Sequence, residues 1–310
     1  MQNKSTINGK LFGEPTQASA SGIAFSLATV LPTLLSVLFL MSIGAGDYAQ
    51  TDWYVYVSYL LPQLAFAITA IWYLYYLKTP VKKAVESQKC KPRYFLLAIF
   101  LQIGLFSLSE LNALFLQFLE QFGYEDVGIR LPSMDGFGFV GVLLVVAVVP
   151  AVFEEIMFRG ILLKGLKSFG EVGSILLCGA LFALYHQNPA QTLYQFCCGV
   201  AFALVAVRAG SVLPTVLSHF INNALILTLT KFGFENFSMS VFTVIIIVSL
   251  ACLIGSIVWL FVLDKRKEEN EKAEKAEKGE KGARKRFFTY ASVGIVICAI
   301  TWLAVLITGL

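Results

Sequence analysis

The sequence predicts an all-α membrane protein, a polytopic bundle of about eight or nine transmembrane helices. The chain is 57% apolar and 14% charged, with 26 phenylalanines among 310 residues, whereas soluble domains average about 45–50% apolar and about 25% charged. Long apolar segments recur, and most reach the roughly 17–25 residues that a helix needs to cross the hydrocarbon core. The charged residues gather between these segments.

Nine segments are predicted to span the membrane. In order they are 21–43, 53–77, 95–118, 139–163, 172–185, 193–207, 212–230, 241–263 and 287–308. The first is too long for the apolar region of a signal peptide, so we predict a membrane anchor there. The fifth and sixth are short and polar at their ends.

Five regions follow from these spans. Residues 1–136 hold three helices, 137–232 form the core that carries the polar motifs, and 233–263 form the eighth helix. Residues 264–286 are a low-complexity lysine and glutamate linker, which predicts a solvated tether. Residues 287–310 form the last helix.

Lysine and arginine in the loops predict the orientation. The loop after the second span is rich in them, whereas the loops after the first and third spans are mainly acidic. The positive-inside rule then places the N-terminus in the cytoplasm of a multi-pass cell-membrane protein. The small net charge of +4 is concentrated in loops, where it bears on the membrane orientation, and we predict no nucleic-acid partner. The six cysteines have no metal-type pairing.

Polar side chains occur in three of the spans at the spacing of one helical turn. They form the motifs Glu154-Glu155-Ile-Met-Phe-Arg159, Phe182-Ala-Leu-Tyr-His186 and His219-Phe-Ile-Asn-Asn223. Ionisable groups cost several kcal/mol at bilayer depth, so they usually mark a functional site. The combination of carboxylates, imidazoles and an amide is typical of a hydrolase.

The two adjacent glutamates have different predicted roles. Glu155 and Arg159 share one helical face and should form an ion pair with a structural role. Glu154 points about 100° away from Glu155 and lacks that partner, so we assign it to the chemistry. Phe182 is predicted to pack.

A turn at Gly170 should bring two of the motifs to the same depth. Glu154 and His186 each lie 16 residues from that glycine, which is about 24 Å along each helix. His219 and Asn223 share a face of the seventh helix. Pro150 should kink the fourth helix and widen a cavity there.

The three ordered motifs resemble those of the CAAX-protease and bacteriocin-processing family of intramembrane endopeptidases, over roughly residues 140–230. The resemblance implies hydrolysis of a peptide bond in a membrane-associated peptide or protein. We predict no cofactor for this reaction. It implies that Glu154 is the general base, that His186 helps to hold and polarise the water, and that His219 and Asn223 stabilise the oxyanion. Glu155 and Arg159 would fix the helix and its local field.

Other readings of the same residues stay open. Glu154, His186 and His219 could supply a zinc site with one open position for water, although no His-Glu-x-x-His motif is present. A proton-coupled transporter would also place such groups at mid-membrane, but no internal repeat is visible. A third reading is an immunity protein that binds a peptide without cutting it. The sequence leaves open whether the substrate is prenylated.

Overall fold

The computed structural model describes residues 16–44, 46–48, 50–78, 80–84, 89–126, 128, 130–233, 237–263 and 282–309. Within these ranges, nine helices are long and apolar enough to cross a membrane, and no β-strand occurs. They are α1 (Gln17–Ile43), α2 (Asp52–Leu77), α3 (Arg93–Glu120), α4 (Gly138–Gly165), α5 (Lys167–Tyr185), α6 (Pro189–Ala209), α7 (Leu213–Phe232), α8 (Met239–Val262) and α9 (Ala283–Thr308). The protein is therefore an all-α, multi-pass membrane bundle, as predicted.

Several helices begin earlier than predicted. The first starts at Gln17 because the Thr16 side chain accepts a hydrogen bond from the Ser19 N–H and caps the helix. The fifth and sixth are 19 and 21 residues long, so both are of ordinary spanning length. The last begins at Ala283, so 283–286 of the predicted linker are helical. The rest of that linker, 264–281, lies outside the described residues.

Helix α4 lies at the centre of the bundle. It contacts α1, α2, α5, α6 and α7, while α3 and α8 pack together behind α7, and α9 packs against α1 and α5. Side chains on α4 can therefore meet groups from five other helices.

Small residues allow two pairs of helices to approach closely. A Cβ added to Gly22 of α1 would lie 2.6 Å from the Phe287 carbonyl oxygen of α9. A Cβ added to Gly199 of α6 would lie 2.7 Å from the Cα of Gly179 on α5. This is the small-residue packing of membrane helices.

The fourth helix is less regular than the sequence suggested. Two π-helical segments, Leu143–Val148 and Ile156–Leu162, flank a short α-helical stretch, Val149–Glu155. Such segments widen a helix locally and are frequent at functional sites. Pro150 lies at the start of the α-helical stretch, and its ring leaves the Val146 carbonyl without the usual donor four residues later.

The predicted turn is present at the start of α5, where a 3₁₀ turn, Lys167–Phe169, precedes Gly170. Gly170 has a φ of 78°, a conformation that favours glycine because it has no Cβ. Helix α5 contacts α4 after this turn, so the first two motifs lie on neighbouring helices.

Candidate functional site

Glu155 and Arg159 form the predicted ion pair at the centre of the bundle. Arg159 Nη1 donates to Glu155 Oε1 at 2.7 Å, and both side chains are fully buried. Arg159 Nη2 also donates to the carbonyl oxygen of Gly199 at 3.2 Å. That contact depends on the close approach of α6, so the arginine joins two helices as well as balancing a carboxylate.

Three phenylalanines surround the Arg159 guanidinium. Its Cζ lies 4.3 Å from the centre of the Phe182 ring, 5.2 Å from Phe202 and 5.9 Å from Phe158. Aromatic faces attract a cation at these distances, and the attraction strengthens where water is excluded. Phe182 therefore packs as predicted, and it also stabilises the arginine through its ring face.

His219 lies between the two glutamates. Its Nδ1 is 2.9 Å from Glu155 Oε1, and its Nε2 is 3.9 Å from Glu154 Oε2. An ionised carboxylate only accepts hydrogen bonds, so Nδ1 carries the proton of the shorter contact. Glu155 is therefore shared between Arg159 and His219, whereas the sequence had suggested Arg159 alone. Nε2 is the nitrogen left to act on other groups.

Glu154 is held by one of its two oxygens. Oε1 accepts a hydrogen bond of 3.2 Å from Gln63 Nε2 of α2. Oε2 has no hydrogen-bond partner among the described residues, and the residue as a whole is 8% exposed. Glu154 therefore has no ion pair with Arg159, as predicted, and one of its oxygens is uncommitted.

His186 ends α5 with its ring in a defined orientation. Its Nδ1 lies 2.8 Å from the Phe182 carbonyl oxygen. Because a carbonyl only accepts, Nδ1 carries a proton, and in the neutral ring Nε2 is then an acceptor. No hydrogen bond joins His186 to Glu154 in the described part of the chain.

Asn223 contacts the same helix as Glu154, two turns earlier. Its Nδ2 donates to the Val146 carbonyl oxygen at 3.2 Å, the carbonyl that Pro150 cannot serve. Its Oδ1 accepts from Asn222 Nδ2 at 3.1 Å. One Nδ2 proton remains for another acceptor, since a carboxamide has two.

A second polar network lies behind Asn223 and was not foreseen. Asn222 Oδ1 accepts from Gln102 Nε2 and from the Tyr194 hydroxyl, each at 2.8 Å. Ser218 Oγ lies 3.2 Å from Gln102 Oε1. These contacts tie α3 and α6 to α7 and fix the amide of Asn222.

The residues that sequence reasoning missed are uncharged. Gln63 and Gln102 are buried amides in apolar helices, and their burial without hydrogen bonds would be costly. Both lie outside the three motifs, so the motif spacing did not indicate them. A glutamine in the middle of an apolar span is the sequence feature that could have indicated each of them.

The zinc reading gains no support from the arrangement of ligands. Among the described residues, no three His, Cys, Asp or Glu side chains are grouped so that they could hold a metal ion. Glu154, His186 and His219 therefore do not form a preformed ligand set.

We expect Asn223→Ala to lower stability as well as activity. The variant leaves the Val146 carbonyl without its side-chain donor, at a cost of about 1–3 kcal/mol. Thermal unfolding in detergent would measure the loss. In a Pro150→Ala background the backbone N–H of residue 150 can serve that carbonyl, so the same change should cost less. Equal costs in the two backgrounds would contradict the coupling.

One comparison with known proteins matches the part of the chain that carries the three motifs. Residues 136–225 match the family model described as Rce1-like, a type II CAAX prenyl endopeptidase. All three motifs lie within the matched residues. No curated protein and no solved structure gives a significant match. The family supports a membrane endopeptidase of the CAAX-protease type. Residues 136–225 are therefore similar to the CAAX-protease family, in its Rce1-like form.

Proposed function

We propose that the protein is an intramembrane endopeptidase of the glutamic type. It hydrolyses a peptide bond of a membrane-associated peptide or protein with a water activated by glutamate and histidine. The observation that carries this proposal is the uncommitted Oε2 of Glu154, buried beside His219 Nε2 at 3.9 Å. A general base needs a free lone pair within reach of the water that it deprotonates.

The proposed first step uses two acceptors. Glu154 Oε2 takes a proton from the water, and His186 Nε2 accepts the hydrogen bond of its second O–H. The Phe182 carbonyl supports this role because it fixes the proton of His186 on Nδ1. As the water oxygen attacks the peptide carbonyl carbon, the carbonyl oxygen becomes an oxyanion.

The oxyanion then needs donors that are already oriented. His219 Nε2, when protonated, and the second Nδ2 proton of Asn223 would supply them. Donors held in place in a water-poor site stabilise developing charge far more than they would in bulk water. The proton held by Glu154 passes to the leaving amine as the tetrahedral intermediate collapses.

The proposed mechanism needs no metal, and no cofactor. Glu155 and Arg159 act by holding α4 and His219 in register. We further propose that the N-terminus is cytoplasmic and that the protein resides in the cell membrane. The lysine-rich and arginine-rich loop after α2 supports this orientation.

Purified protein in lipid nanodiscs tests the function directly. A farnesylated peptide ending in Cys-a-a-X and its unprenylated counterpart would serve as probes, because the family description names prenyl endopeptidases. We expect the wild type to cleave at least the prenylated probe, and cleavage to survive treatment with a zinc chelator. Loss of activity on chelation, with recovery on addition of zinc, would overturn the metal-free mechanism.

If the substrate is not a peptide of the Cys-a-a-X type, a comparison of peptides from cells can identify it. Membrane peptides from cells with the wild type would be compared with those from cells with Glu154→Gln. Processing that depends on Glu154 would identify the substrate. Identical peptide profiles, together with two uncleaved probes, would contradict the endopeptidase.

A further inference from the structure

Gln63 is a buried amide that contacts the proposed base from outside the family-matched region. It lies on α2, is 6% exposed, and its Nε2 donates to Glu154 Oε1 at 3.2 Å. The match to the family begins at residue 136, so none of the three motifs includes it. Helix α2 contacts the stretch of α4 that carries Glu154.

The chemistry of the two groups fixes the orientation of the amide. An ionised carboxylate offers only acceptors, so the NH₂ end of Gln63 must face it. Gln63 Oε1 is bonded to the same carbon as Nε2 and therefore lies close to the carboxylate as well. This oxygen is buried without a hydrogen-bond partner among the described residues. A buried, unpaired amide oxygen beside a proposed base is a group that a bound water can serve.

The contact also makes the two oxygens of Glu154 unequal. Oε1 has a donor, whereas Oε2 has none in the described part of the chain. The oxygen without a donor is the one 3.9 Å from His219 Nε2. Rotation of the carboxyl group, which would exchange the oxygens, would break the bond to Gln63.

We propose that Gln63 is a positioning residue for the reaction. Its NH₂ group holds Oε1 of Glu154 so that Oε2 is the basic oxygen that takes the proton of the nucleophilic water. This inference rests on the proposed function for the reaction itself, whereas the hydrogen bond to Glu154 can be tested without any substrate.

Two variants separate positioning from packing. Gln63→Leu removes both hydrogen-bonding ends at similar volume. Gln63→Glu keeps the shape, and its carboxyl group can donate to Glu154 only when it is protonated. Thr69→Val is a matched control, because Thr69 is a fully buried polar residue of the same helix and its hydroxyl has no hydrogen-bond partner in the described residues.

Hydrolysis of the farnesylated probe gives the kinetic result. With Gln63→Leu we expect kcat to fall roughly 10- to 100-fold, as for the loss of a hydrogen bond to a charged group, with KM within about twofold of the wild type. The activity of Gln63→Glu relative to the wild type should fall as pH rises, because the second carboxylate then repels the first. Thr69→Val should keep the wild-type kcat and pH profile.

Infrared spectroscopy of the resting protein gives a result that does not depend on activity. The carboxylate band of Glu154 is identified as the difference between the wild type and Glu154→Gln. It should shift in Gln63→Leu and stay in place in Thr69→Val, because only the first change removes a hydrogen bond from that carboxylate. An unshifted band would overturn the positioning role, whatever the protein hydrolyses. A shifted band with unchanged kcat would show that the bond exists but does not serve the reaction, which also overturns the proposal.

A Glu154→Gln variant that still cleaves the probe would instead refute the base assignment. That result would count against the proposed function and would leave the infrared result for Gln63 as it stands. The two failures are therefore distinguishable.

Discussion

Glu154→Gln is expected to abolish measurable hydrolysis while the protein still folds. General-base catalysis contributes about 10²–10⁴-fold to a rate, and an amide at this position cannot take a proton from water. Glutamine keeps an oxygen that can accept the hydrogen bond of Gln63, so packing against α2 should survive. Turnover of the farnesylated probe, with the yield and thermal stability of the purified variant, would measure both effects.

The adjacent Glu155 provides the matched control. Glu155→Gln removes the carboxylate that Arg159 and His219 share, so this variant should lose folded protein. We therefore expect the two neighbouring glutamate-to-glutamine variants to differ. Glu154→Gln should lose activity, whereas Glu155→Gln should lose stability. Substantial turnover by purified Glu154→Gln would remove Glu154 from the role of base.

Arg159→Ala should produce the largest loss of stability. It leaves Glu155 buried with one partner fewer, and the loss of one member of a buried ion pair costs about 3–5 kcal/mol. The variant also loses the bond to the Gly199 carbonyl and the contacts with three phenylalanine rings. Denaturant titration in mixed micelles would measure the change in the free energy of unfolding.

A double variant distinguishes charge from shape. Glu155→Gln combined with Arg159→Met removes both charges and keeps much of the volume, so it should be more stable than Arg159→Ala alone. Arg208→Ala is a control on the periphery, since Arg208 lies 3.8 Å from Glu171 and both side chains are partly exposed. If Arg159→Ala is inactive but as stable as the wild type, Arg159 belongs to the chemistry.

The sequence predicted the fold class and the Glu155–Arg159 contact because both depend on local pattern. Apolar segment length indicates spanning helices, and a spacing of four residues places two side chains together on one helix. The turn at Gly170 was predictable for the same reason, since glycine after a helical run favours a positive φ.

Contacts between distant helices were harder to predict. The bond of Gln63 to Glu154 joins residues 91 apart in sequence, and nothing in local periodicity indicates such a pairing. The π-helical segments of α4 also escaped prediction, because an apolar run reads the same in an α-helix as in a π-helix. Because π-helical segments have more residues per turn than a regular α-helix, they change which residues share a face.

His219 shows the limit of motif reasoning. Its spacing from Asn223 placed both side chains on one face of α7 but did not indicate their partners, because Nδ1 of the histidine contacts Glu155 and the asparagine donates to the Val146 carbonyl oxygen. Spacing places side chains on a face of a helix, but the partners on that face come from other helices.

The Glu155–Arg159 pair has a consequence for how the chain enters the bilayer. Both residues belong to one helix, four positions apart, so their bond can form as soon as that helix does. The histidine that also contacts Glu155 lies 64 residues further along and is synthesised later, because a chain is made from its N-terminus. The segment can therefore partition into lipid with this carboxylate already neutralised, independently of helices that have not yet left the ribosome.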